Sequence, residues 1–567
     1  MEMNNSKIST ELNLSLNTTA EERAKALDLD VGYNRELDEW ELIIKYTGNL
    51  EEISRDIGFS YISLLNGYGI IIIKTYLIGD LSMRPEIIYI EKPKTIFEDK
   101  SSVIQGFSQS CMSFLRRDDN QLTGEGVIIS VIDSGIDYSH PVFWDNGQTV
   151  INEIWDLGQD GNPPSDYRLG SIYTKEDIIS SANDENSRLL TYDESGHGTA
   201  VAGIITSIAP KSSLLIIKLG RGQGAPSTTS SLLLGIDYSI NYAIRMNMPL
   251  VINLSFGNNY GDHGSNSIVE DYIDSVSRVS KISIATGTGN DGDAARHAQF
   301  ILGETPWKEI EFAVNNFETG INLQIWRNYS DVVDLIIKTP SGIELGPITP
   351  ASQIIRYTEN NMDILVINGG PSPINANQET YISIIPQKQY IESGIWSIKF
   401  NPKSISQGRF DIWLPVRGST SSGVYFLNPS EMTTLTIPST ARNVISVGAY
   451  DPETLTYAAF SGRGYTVNND IKPDIAAPGV NINIAIPGGG YRTASGTSFA
   501  TPFVSGGIAI MMEKGIVNKE DPFMYGEKVK AYIIKGAKKL PGYRQWPNEK
   551  LGWGAFCLEN SINWDNT

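Results

Sequence analysis

The sequence predicts an α/β protein built on a doubly wound parallel sheet, preceded by a small α+β segment and interrupted by an all-β insertion. Three observations predict it. Apolar strand-like runs alternate with helical patterns from Val127 onward. The alternation stops between about Glu304 and Val416 and then resumes. Three short motifs, each with glycine in or beside it, fall where strands end or helices begin. At 567 residues the chain exceeds what one hydrophobic core usually holds, so two or three domains are expected.

Residues 1 to about 33 are polar and read as a flexible arm (MEMNNSKISTELNLSLNTTAEERAKA at its start). No basic start is followed by an apolar core, so export by the general secretory route is not expected. From Trp40 the pattern becomes strand (WELIIKYTG), helix (Asn49 to Ile57), and two strands about the Asn66-Gly67 turn. An amphipathic piece from Leu77 to Met83 and a last strand from Ile87 to Ile90 follow. This β-α-β-β-α-β order predicts an open-faced sandwich with helices on one side. The longest apolar run, Gly69 to Ile73, is far too short to span a bilayer. Residues 97–121 are polar and irregular, as in a processing linker.

The near-continuous apolar run Val127 to Ile132 suits a strand buried on both faces of a parallel sheet. A helix is predicted over His197 to Ser207, a strand over Ser213 to Lys218 and a helix over Ser230 to Met246. A strand from Pro249 to Leu254, a helix from Ser267 to Val279 and a strand from Ile282 to Ala285 complete the alternation. Through the insertion the helical period is nearly absent. Short alternating runs replace it: Ile310–Val314, Ile321–Trp326, Val332–Ile337, Ile364–Ile367, Tyr381–Ile385, Ile395–Phe400 and Phe410–Leu414. Turn residues between them predict a β-sandwich or jelly roll. Strand signals of the α/β type resume at Val444 to Gly448. The expected division is residues 1–99, 100–300, 301–425 and 426–567.

Composition is that of a globular protein, 40% hydrophobic and 19% charged. A net charge of −20 argues against nucleic acid or anionic lipid as a partner, since either needs a basic surface. Cys111 and Cys557 are too few for a disulfide framework or a cysteine-rich metal site, and two thiols are expected rather than one long-range bridge.

The chemistry concentrates in three motifs: Val131-Ile132-Asp133-Ser134-Gly135, Ser195-Gly196-His197-Gly198-Thr199 and Gly496-Thr497-Ser498-Phe499-Ala500-Thr501-Pro502. An ionised acid, an imidazole and a hydroxyl together suit acyl transfer. The histidine takes the serine proton, the aspartate fixes the histidine's tautomer, and the serine forms the acyl-enzyme. Asp133 at a strand's carboxyl end lies where open α/β sheets bind ligands. Ser498 at a helix mouth sits beside free N–H groups that suit an oxyanion. Pro502 is expected within a first turn that lacks intrahelical N–H bonds. His140 reads as part of a structural turn, and His263 and His297 as residues of polar loops, so no metal site is expected.

The segments VIDSGIDYSHP, SGHGTAVAG, VINLSFG, ATGTGNDGD, DIAAPGV and SGTSFATPFVSG, in that order, resemble the subtilisin-like serine proteases over residues about 120–300 and 430–560. The resemblance implies a subtilisin-like fold, with Asp133, His197 and Ser498 as the triad. It implies Asn290 as the side-chain oxyanion donor, paired with the backbone N–H of Ser498. It also implies that Ser255, Phe256 and Gly257 form the substrate-binding strand, with Gly287 to Gly289 lining the other wall of the specificity pocket. Asp137 matches a ligand of the family's strong calcium site. The direct run from Ile208-Ala209-Pro210 into Leu214 omits the loop that completes that site, so neither a tightly bound metal nor any other cofactor is expected.

The N-terminal segment and the insertion resemble the architecture of the Csp germination proteases of clostridial spores. That resemblance implies a prodomain that the enzyme cuts from itself and that stays in the active-site cleft, with the tail Lys94 to Lys100 entering the active site and cleavage near Asp99. It implies a spore location and a cortex-lytic zymogen as protein substrate, while the net charge and the short apolar runs leave no nucleic acid and no membrane insertion expected. Two other functions stay open at this point: a general degradative subtilase, and a catalytically silent sensing or binding subtilase.

Overall fold

The computed structural model describes residues 5–98, 122–183, 188–220, 226–303, 306–350 and 354–563. The chain divides into two compact units. One comprises Met1–Thr95, Asn258–Asp271 and Ala294–Glu431; the other comprises Ile96–Gly257, Tyr272–Asp293 and Met432–Thr567.

The second unit is the predicted α/β body, organised on a nine-stranded sheet. Its central strand is Ile128–Asp133, buried at every residue. Ser213–Lys218 pairs with it in parallel on one side and Leu250–Leu254 on the other. Ile151–Asp156 extends the sheet beyond Ser213–Lys218, while Ile282–Gly287, Ile445–Asp451 and Ile475–Pro478 extend it the other way, all parallel. The chain therefore leaves the central strand to one side and later crosses to the other. This makes the carboxyl end of Ile128–Asp133 a topological switch point. Ile151–Asp156 is a strand the apolar pattern does not predict, because Asn152, Glu153 and Asp156 break its run.

Two helices pack at this switch point, His197–Ile208 and Thr497–Met512, buried along nearly their whole lengths. A helix apolar on all sides belongs in a core. Ala200, Ile204 and Ile208 of the first share a buried cluster with Phe499 of the second.

In the first unit, Glu39–Tyr46, Leu50–Ile57, Ser60–Leu64, Tyr68–Lys74, Ile78–Met83 and Ile87–Glu91 realise the predicted β-α-β-β-α-β order. Its core joins Trp40, Leu42 and Ile44 to Ile53, Ile71, Ile73 and Leu81. The expectation of a flexible arm ahead of it is corrected. Thr10–Leu16 is a helix capped by Ser9, and Ala20–Lys25 is closed by a Thr19/Glu22 capping box. Leu14, Ala26 and Leu29 are buried against Leu365, Ile367, Tyr381 and Ile385 of the insertion.

The insertion is all β: a six-stranded and a five-stranded antiparallel sheet around one apolar core. It begins earlier than predicted, at the strand His297–Ile301. Three more strands were not predicted, Glu344–Ile348, Ile354–Glu359 and Tyr425–Phe426. Each lies at a sheet edge, where proline and charge are tolerated and the alternation is weak.

Candidate active site

The central strand ends on Asp133, whose backbone carbonyl accepts from Leu219 N–H at 2.8 Å. Its Oδ1 lies 2.7 Å from His197 Nδ1 and also accepts from Ser134 N–H at 2.8 Å. Both side chains are buried. His197 is the first residue of its helix, and Gly196 before it takes a left-handed conformation at φ 77°. A side chain on Gly198 would run into the carbonyl oxygen of Gly135. The loops carrying Asp133 and His197 therefore touch backbone to backbone.

Asp193 and Ser134 hold those loops together; Ser134 stood in the Asp133 motif without a role of its own, and Asp193 was not singled out in the sequence. Asp193 Oδ1 accepts from Gly196 N–H and Ser134 Oγ, and its Oδ2 accepts from Thr199 N–H and Oγ1. Ser134 Oγ in turn accepts from Gly198 N–H at 2.9 Å. The available signal was an aspartate shortly before a helix start, the pattern of a residue that satisfies first-turn donors.

Ser498 is the second residue of Thr497–Met512 and is fully buried. Its Oγ donates to the carbonyl oxygen of Ser255 at 3.1 Å. The ring of Phe499, the next residue, lies 5.8 Å from the His197 imidazole between centroids. Pro502 is the sixth residue of the helix, not part of its first turn as expected. Its missing N–H would have bonded to the Ser498 carbonyl, four residues back. That carbonyl instead accepts from Ser255 Oγ at 3.2 Å, and Ser255 Oγ accepts from Asn253 Nδ2 at 2.9 Å. Ser505 Oγ completes the chain by donating to Asn253 Oδ1 at 2.7 Å.

Asn290 Oδ1 accepts from Thr497 N–H at 3.0 Å and from Thr497 Oγ1 at 3.2 Å. Its Nδ2 is buried and has no hydrogen-bond partner among the described residues. The amide is thus held by its oxygen while its donor end stays available beside the start of the Ser498 helix. Gly287 lies against the same helix start, where a Cβ would stand 3.1 Å from Thr497 Oγ1. A Cβ on Gly257 or Gly289 would collide with Thr436, another residue the sequence reading missed.

Phe256–Gly257 carries a partner strand, Phe97–Glu98, in antiparallel register with Phe256 opposite Glu98 and Gly257 opposite Phe97. By composition they read as part of an irregular linker, but they fall in the tail Lys94 to Lys100 that the Csp resemblance sends into the active site. The rest of that linker, including Asp99 and Cys111, lies outside the described residues. The Glu98 carboxylate accepts from Ser195 Oγ at 3.1 Å. Burial, reinforced by the charge of Asp133, pushes the Glu98 carboxyl above the usual range, against a smaller opposite pull from His197. Ser195 Oγ also accepts from His197 N–H at 3.1 Å.

The other histidines are structural. His140 Nδ1 accepts from Val142 N–H, as its turn position suggested. His263 lies in a loop as expected, but a buried one, whereas His297 begins the strand His297–Ile301; both stack on Trp413, with centroids 4.2 and 4.7 Å away. Asp137 accepts from Ser139 N–H and from Gly488 N–H. Among the described residues no group of three or more His, Cys, Asp or Glu is placed to hold a metal ion, and no helix is long and apolar enough to cross a membrane.

A sheet with these helices and motifs at its switch point defines a class, and comparison with known proteins agrees. The subtilase family model matches residues 124–372 and 419–554, so the chain belongs to the subtilase family. The model of the Csp protease B prodomain matches residues 6–94. The solved structure of the Clostridium perfringens CspB protease is similar with a TM-score of 0.75 and 34% identity, over 80% of this chain and 95% of that one. The minor extracellular protease Vpr of Bacillus subtilis (strain 168) is 24% identical over 512 residues, 84% of this chain and 56% of that protein. Serine protease AprX of the same strain is 34% identical over 152 residues, 23% of this chain and 32% of that protein. The chain spans about a third to a half of the length of these two curated relatives.

Proposed function

We propose that the protein is a serine endopeptidase that cuts its own N-terminal segment and then activates a protein zymogen. The observation that carries the first half is the strand Phe97–Glu98, paired with Phe256–Gly257 and bonded to Ser195 beside His197. A stretch of the chain itself occupies the place a peptide substrate would take. The resemblance to the Csp proteases and the Csp protease B prodomain match support the second half, with a cortex-lytic enzyme of the germinating spore as the zymogen.

In this mechanism Ser498 Oγ attacks the scissile carbonyl carbon while His197 Nε2 takes its proton. Asp133 holds Nδ1 and stabilises the imidazolium, which then protonates the leaving amine. Water, activated by the same imidazole, hydrolyses the acyl-enzyme. Asn290 Nδ2 and the backbone N–H of Ser498 receive the oxyanion. Ser255, Phe256 and Gly257 bind the substrate backbone, while Gly287 and Gly289 leave room for the side chain before the cut. Residues 1–99 act as the prodomain, and the triad operates without a metal or organic cofactor.

The test compares wild type with Ser498→Ala. Wild type should yield two copurifying fragments, the larger beginning near Asp99, and the variant one full-length chain. Identical single bands would sink self-processing. Reaction of the mature chain with a serine-directed fluorophosphonate separates an active enzyme from a silent scaffold. Broad degradation of casein would favour a general protease over a zymogen activator.

A further inference from the structure

In the first unit a cavity of about 290 Å³ is lined by both the N-terminal segment and the insertion. Three carboxylates, Glu11, Glu91 and Glu379, line it, and each is more than nine-tenths buried. One lysine faces them: Lys94 Nζ lies 3.6 Å from Glu91 Oε1 and 3.9 Å from Glu11 Oε2. Glu11 Oε1 accepts from Gln324 Nε2 at 2.6 Å. Glu11 Oε2, Glu91 Oε1 and Glu379 Oε1 are buried without a hydrogen-bond partner among the described residues. One lysine against three buried carboxylates leaves an excess of negative charge that is costly to bury and must be met by a proton or a counter-ion.

Asp262, also on the wall, does not share this deficit, because its carboxylate accepts from Asn266, Asn375, Asn377 and Gly264. Tyr89 and Trp326 supply aromatic surface. The rim includes the exposed Ser6 and Gly370, so a solute can enter from solvent. Carboxylates beside aromatic rings suit a cation that has both charge and apolar surface. The three carboxylates are not grouped as a metal site would require.

We infer that this cavity is a binding site for a small organic ammonium ion, held by Glu379, Glu91 and Glu11 between the N-terminal segment and the insertion. The bound cation would stabilise their docking, because its ligands come from both. Proton linkage supports the assignment. Burial first, then the charges of Glu11 and Glu91, pushes the Glu379 carboxyl up to about 8, against opposing pulls from Lys94 and a Thr10 hydrogen bond. Around the same cluster Asp28 adds negative charge, and Lys92 adds positive charge. An entering cation displaces the Glu379 proton, so affinity rises with pH.

The test is calorimetric titration of the full-length chain with n-butylammonium chloride, using n-butanol as the neutral control. With the Glu379 carboxyl near 8, its ionised fraction rises about tenfold between pH 7 and pH 9, and Kd should tighten by about that factor. One proton should be released per cation at pH 7, read from the heats in two buffers. Glu379→Gln, which mimics the protonated state and adds no charge, should bind more weakly at pH 9 and lose the pH dependence. Equal binding of butanol, no saturable heat at pH 9, or an unchanged wild-type Kd between the two pH values would overturn the assignment. The wild-type profile decides even if the variant fails to fold.

Discussion

Replacing Asn290 tests the site where two different roles of one side chain can be separated. Asn290→Ala removes the Nδ2 donor proposed for the oxyanion and the Oδ1 acceptor that holds Thr497 N–H at 3.0 Å. Loss of one oxyanion donor costs about 10²–10³ in kcat, or about 2.7–4 kcal/mol. Loss of the Thr497 anchor removes a buried hydrogen bond, at a cost of about 0.5–1.5 kcal/mol in stability. Asn290→Asp keeps an acceptor for Thr497 but puts a carboxylate oxygen where the donor stood, so its kcat should fall further than that of the alanine variant. The assay is steady-state hydrolysis of a peptide ester by mature enzyme, with active sites counted by fluorophosphonate labelling. KM should change little, because the donor acts on the transition state. An Asn290→Ala enzyme within about fivefold of wild-type kcat, or one whose loss lies in KM alone, would refute the role assigned to Nδ2.

Three further predictions follow from packing and charge. Glu98 has a carboxyl raised in the cleft, so its protonated form is favoured there, and binding weakens as pH rises above the usual glutamate value. A peptide of residues 92–98 should inhibit mature enzyme less at pH 8 than at pH 5, and its Glu98→Gln analogue should lose that part of the pH dependence. Asp474 is buried between Lys472 Nζ at 2.8 Å and Lys530 Nζ at 3.0 Å, and it also accepts from Ser446 N–H. Asp474→Asn should therefore cost about 3–5 kcal/mol, read as a lower melting temperature, because it leaves two buried ammonium groups facing each other. Gly198→Ala should prevent the Asp133 and His197 loops from closing, because the new methyl overlaps the Gly135 carbonyl. Its signature is loss of fluorophosphonate labelling; labelling at the wild-type rate would contradict the close backbone contact.

The sequence made legible whatever depends on neighbours along the chain. Asp133, His197 and Ser498 stood out because each closes a buried strand or opens an apolar helix, and Ile128–Asp133 and Thr497–Met512 are such elements. The insertion was visible as a change of period. What depends on distant partners was hidden. The helix Thr10–Leu16 is too short for its own period to register, and Leu14 is buried only because Leu365 and Tyr381 cover it. The burial of His263 in its loop and of His297 at a strand start stayed hidden because their stacking on Trp413 is tertiary.

Pro502 shows how a local rule can mark a site and still give the wrong reason. Its position in the helix interior should break the helix, yet the carbonyl it leaves unbonded belongs to Ser498 and is taken by Ser255 Oγ. Ser255 also accepts the Ser498 hydroxyl bond through its own carbonyl at 3.1 Å. The residue before Phe256–Gly257 thus fixes the Ser498 peptide unit and side chain together, and Phe256–Gly257 is where Phe97–Glu98 pairs. Proline leaves free the carbonyl that takes one of the two hydrogen bonds joining Ser255 to Ser498, so a peptide paired with Phe256–Gly257 lies one residue from the residue that holds both ends of the Ser498 unit.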